Sequence, residues 1–76
     1  MTAENFDATL NMLLERRPFQ IFTIELHVGK RFEIDHPRAT VFRDGIAAFI
    51  APGPVLIHFD HEGVSQIIEA PANASS

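Results

Sequence analysis

His58, Asp60, His61 and Glu62 form the densest group of side chains in this sequence that could do chemistry. Imidazole and carboxylate together suit a divalent transition metal, and a hairpin can bring a strand residue and loop residues together. The spacing argues against that use. His58 and Asp60 share one face of an extended segment, whereas His61 and Glu62 fall in the turn beyond it, and no HExxH or Cys/His framework accompanies them. A polar hairpin turn is the simpler account, so His58, Asp60 and His61 remain weak metal candidates and no cofactor is expected. His36 stands beside Asp35 and could act as a pH-sensitive group or general base near His27 or His58, because imidazole titrates near neutrality. The plainer reading is a strand-end histidine bonded to a nearby backbone group. No Ser or Cys nucleophile stands at a strand-to-helix elbow, and Ser65 has no evident partner, so the chain reads as non-enzymatic. Arg16, Arg17 and Arg38 would converge if the helix end meets the open end of the first hairpin, and there they could contact phosphate. Lys30 and Arg31 lie at the opposite tip, roughly 20 Å away at about 3.3 Å per strand residue. Two small basic spots therefore replace one stripe, and helix-end complementarity with surface pairing to Glu15 or Asp35 explains the first spot as well.

Composition narrows the classes of function. A chain of 76 residues forms one domain near the size where independent folding is only marginally favourable, so self-association would help it. Seven Phe with no Trp or Tyr, in a chain that is 46% hydrophobic, point to a small core of Phe and aliphatic side chains. The absence of Cys excludes disulfide and thiolate-metal frameworks and leans towards a reducing compartment. Glu4 and Asp7 stand where a signal peptide would be basic, and no apolar run approaches the roughly 18 residues that span a bilayer. A cytoplasmic location without membrane contact is the expectation. The formal charge is −4, and the second half is the acidic one, carrying only Arg43 against four acids. That field repels phosphate backbones and disfavours RNA as a partner without excluding a local basic contact.

The elements that must position these groups follow from periodicity. Phe6, Leu10, Leu13 and Leu14 fall at i, i+4, i+7 and i+8, the stripe of an amphipathic helix running from Thr2 to Arg17. Thr2 can cap its start, and Pro18 cannot continue it. Alternation then places Phe22, Ile24, Leu26 and Val28 on one face of a strand, with Phe32 and Ile34 on the matching face of the next. Parity selects a three-residue loop, His27, Val28 and Gly29, pairing Leu26 with Lys30, Ile24 with Phe32 and Phe22 with Ile34, with Gly29 at positive φ. A second hairpin over Ala39 to Arg43 and Ile46 to Ala51 turns at Asp44-Gly45. Pro52-Gly53-Pro54 should break the sheet. Val55 to Phe59 and Val64 to Ala70 read as a third hairpin, pairing Phe59 with Val64 and Val55 with Ile68. Residues 1–70 make a single domain, and 71–76 carry no periodicity and read as a disordered tail.

One helix followed by five or six short strands predicts an α+β fold: a bent antiparallel sheet or small barrel of the SH3 or Sm-like kind. Within it, Ile46-Ala47-Ala48-Phe49-Ile50-Ala51 is apolar on both faces, which a sheet solvated on one side does not need. Either the helix stripe or a second copy of the chain must cover its second face. The expected interaction surface is therefore Ile46, Phe49 and Ile50 with Phe6 and Leu10, and the expected role is a non-enzymatic, homo-oligomeric interaction module.

Residues 13–37, LLERRPFQIFTIELHVGKRFEIDHP, resemble a group of short uncharacterised bacterial proteins with a PFxPFxIxLxxGxxxxVxHP segment. Pro18, Phe19, Phe22, Ile24, Leu26, Gly29, His36 and Pro37 fit that pattern, while Ile21 stands where a second Pro is usual. The resemblance covers about a third of the chain and implies a small bacterial helix-plus-sheet protein, with no functional residue to carry over. The order of elements is also similar to that of Sm-like proteins, which would imply a ring built by edge-strand pairing and RNA as a ligand.

Overall fold

A computed structural model of the protein describes residues 1–69. The predicted tail at 71–76 and the end of the last strand at Ala70 lie outside the described residues. Helix α1 (Ala3–Glu15) begins where the sequence places its cap: the Thr2 Oγ1 accepts the Asn5 amide at 3.1 Å. It ends at Glu15, three residues before Pro18. The Arg17 guanidinium donates back to the carbonyls of Leu14 and Arg16, satisfying acceptors that the helix end leaves free. Phe6, Leu10, Leu13 and Leu14 are all buried. A helix of this length is marginal alone, and each buried side chain contributes about 1.5–3 kcal/mol relative to exposure, so packing makes the helix.

Six strands follow: β1 (Phe22–Leu26), β2 (Arg31–Ile34), β3 (Thr40–Arg43), β4 (Ile46–Ala51), β5 (Val55–Asp60) and β6 (Val64–Glu69). The fold is α+β, but among the described residues the strands form two three-stranded antiparallel sheets and no closed barrel. The first sheet has the order β2-β1-β6 and the second β3-β4-β5. The first hairpin has the register that parity requires, with Phe22 opposite Ile34 and Ile24 opposite Phe32, and Gly29 has φ 92°. Leu26 N–H donates to the Lys30 carbonyl, closing the three-residue loop, and Val28 at its tip is exposed. Asp44-Gly45 turns the second hairpin with both residues at positive φ, as a type I′ turn demands.

The third hairpin does not form. β5 pairs with β4, from Ala51 opposite Val55 to Ile46 opposite Asp60, and β6 pairs with β1 in the other sheet. Pro52-Gly53-Pro54 is consequently a hairpin loop and not a break. Both prolines fall outside the ladder, so their missing amide donors cost nothing there, and Gly53 takes φ 127°. The four residues Asp60 to Gly63 carry the chain from one sheet to the other. Asp60 Oδ1 accepts the Gly63 amide at 2.8 Å, His61 N–H donates to Gly45, and the Gly63 carbonyl accepts from His27.

The core lies between the sheets and under the helix. Phe32 of β2 stacks on Phe49 of β4 at 5.8 Å and meets Phe59 of β5 edge-on at 5.1 Å, and Phe59 also meets Phe6 of α1. These four rings join all three layers.

Candidate interaction face

The register of the second sheet decides what its outer surface carries. Alternation along β4 turns Ala47 and Phe49 into the core and Ile46, Ala48 and Ile50 outward. Opposite Ile46 lie Arg43 on β3 and Asp60 on β5; opposite Ala48 lie Val41 and His58; opposite Ile50 lies Leu56. Val41 is 69% exposed, Ile46 63%, Leu56 57% and Ile50 56%, values that leave four large apolar side chains on one face uncovered by the described residues. Between Val41, Arg43, Ile46, Ala48 and His58 this face forms an open concavity of about 450 Å³. The outer face of the first sheet differs in kind. Glu25 of β1 accepts from Arg31 and from Gln66, and these hydrogen bonds, led by the one from Gln66, hold its carboxyl below the ordinary carboxylate range.

The structure divides the residues expected to form an interaction surface. Ile46 and Ile50 lie on the exposed face. Phe49, Phe6 and Leu10 are at most 1% exposed and belong to the core, where Phe49 stacks on Phe32 of β2 and Phe6 meets Phe59 of β5. Val41 and Leu56 join the face although the β4 run alone does not point to them. Their signal is present in the apolar runs Val41-Phe42 and Val55-Leu56-Ile57, but the register that aligns them with β4 depends on the hairpin across Pro52 to Pro54.

The other sequence-derived groups are dispersed. Arg16 is bound to Glu69 at 2.6 Å and to Gln20 at 3.2 Å, and Arg17 is turned onto the helix end. Arg38 is exposed, with its amide donating to the ring of His36 at 3.0 Å, so His36 is a strand-end histidine at the surface. His58 points outward from β5, whereas His61 sits against Gly45 with Nδ1 at 2.9 Å from the Met1 carbonyl. His27, His58 and Asp60 line a smaller depression of about 240 Å³, but no three His, Asp or Glu side chains converge as metal ligands among the described residues. No described helix is long and apolar enough to cross a membrane.

Comparisons with protein-family models, curated proteins and solved structures return no match.

Proposed function

We propose that the protein is a small non-enzymatic interaction module that self-associates through the outer face of the β3-β4-β5 sheet. The observation that carries this reading is the alignment of Val41, Ile46, Ile50 and Leu56, each more than half exposed, on one face of a three-stranded sheet. A contiguous apolar patch of that kind on an 8.5 kDa chain marks a contact surface. Its small size supports the same reading, since a second copy supplies the burial that a short chain lacks. Sedimentation of the full chain over a wide concentration range tests it. Mass should rise from monomer towards dimer, and Ile50→Glu should hold the chain at monomer with its circular dichroism spectrum unchanged. A wild-type chain that stays monomeric at the highest concentration refutes the proposal.

An Sm-like RNA-binding role has less support, because Arg16 and Arg17 are both engaged within the chain. Such a role would appear as single-stranded RNA binding at low salt that weakens steeply as salt is added.

A further inference from the structure

The outer face of the β3-β4-β5 sheet is built in rows, and its charges are asymmetric in a way that selects one mode of pairing. The first row reads Arg43, Ile46, Asp60 across the three strands, the second Val41, Ala48, His58, and the third ends in Ile50 and Leu56. A cation therefore sits at the β3 end of the first row and an anion at the β5 end, with β4 midway between them. Resting on the self-association proposed above, we infer that two copies pack face to face about a two-fold axis running along β4. That operation exchanges the β3 and β5 edges while keeping each row in place. Arg43 of each copy then meets Asp60 of the other, twice, and Val41 meets His58. Ile46, Ala48 and Ile50 each meet their own counterparts, with the small Ala48 at the centre of the contact.

The other two-fold axis aligned with the sheet, across the strands, reverses the order of the rows. It would set Asp60 of each copy over the apolar Leu56 of the other and give Arg43 no carboxylate from the other copy, so that Asp60 is desolvated without a new partner. Facing sheets pack about 10 Å apart with their strands aligned to within about 30°, a gap that the long Arg43 side chain can bridge. Arg43 is free to do so: it is 92% exposed, and its contact with the adjacent Asp44 is loose at 3.6 Å. Three strands about 4.8 Å apart make a small face, so the dimer belongs to the weak, concentration-dependent class.

The chain contains no Cys, so single-Cys variants report without background. Ile46→Cys, Ala48→Cys and Ile50→Cys, treated with a short bismaleimide, should each give covalent dimer in comparable yield, because all three positions lie on the axis. Glu33→Cys on the outer face of the other sheet should give little. Arg43→Asp should weaken dimerisation about tenfold, as two exposed pairs each worth about a factor of three predict. Asp60→Asn, which keeps an oxygen to accept the Gly63 amide, should weaken dimerisation by a similar factor. Dimer that cross-links through Ala48→Cys alone, or that ignores Arg43→Asp, overturns the axis along β4 and leaves self-association standing. A monomeric wild type overturns both, and a dimer that none of the three β4 positions cross-links refutes this face as its contact.

Discussion

Gly45 is constrained from several sides at once. Its amide donates to Asp7 Oδ1 at 2.9 Å, its carbonyl accepts from His61, and its φ is 84°. A Cβ placed there would stand 2.6 Å from the His61 ring and 2.8 Å from the Ala3 Cβ. Gly45→Ala therefore combines left-handed strain with overpacking and should cost about 3 kcal/mol, read from urea unfolding. A loss under 1 kcal/mol would mean that the helix start does not bear on this turn. The dipeptide Asp44-Gly45 announced the turn; that the same glycine also receives the helix was not legible, since nothing local links Asp7 to a residue 38 positions away. Thr40 points the other way. Its side chain is buried opposite Phe49, and its Oγ1 has no hydrogen-bond partner among the described residues. Thr40→Val keeps the shape and removes the unpaired hydroxyl, so it should raise stability by about 1 kcal/mol. A decrease in the urea midpoint would show that the hydroxyl is satisfied in solution.

At the scale of elements, local signals were sufficient for the helix and for two of the three hairpins. The helix stripe, the β1-β2 register and the Asp44-Gly45 hairpin all follow from parity and turn chemistry. The β5 partner did not follow. Phe59 opposite Val64 satisfies hydrophobic pairing as well as Phe59 opposite Ala47 does, and two prolines suggested an end to the sheet when they only marked a loop. The β1-β6 ladder joins residues more than 35 positions apart, and its register shifts between Glu25 and Leu26, where periodicity gives no warning. That ladder supplies a measurable pH dependence. Glu25 is held by Gln66 and Arg31, and its folded-state affinity for protons lies below the ordinary value of 4.5. A depressed carboxylate stabilises the fold above its unfolded pKa and loses that contribution as pH falls through the folded one. The stability gap between wild type and Glu25→Gln should thus be present at neutral pH and shrink on acidification below 4.5. A gap that is constant with pH would show that the carboxylate charge is not what the ladder uses.

For the whole molecule, the decisive feature is that neither sheet has a core of its own. Phe32 comes from one sheet, Phe49 and Phe59 from the other, and Phe6 from the helix, so each layer's apolar face is completed by the others. Separate unfolding of one sheet would expose the inner face of the second to water, at about 25 cal/mol for each Å² of apolar surface uncovered. The chain should consequently unfold as one unit. Leu10 tests this from the layer that touches no ladder: it is fully buried in the shared core and takes part in no strand. Leu10→Ala should cost about 3 kcal/mol, a large share of the total stability of so small a domain. If the core is shared, amide exchange in β1 and in β4 should accelerate by the same factor in this variant. Faster exchange in β4 with β1 unchanged would show that the two sheets are separate stability units and that the helix serves only one of them.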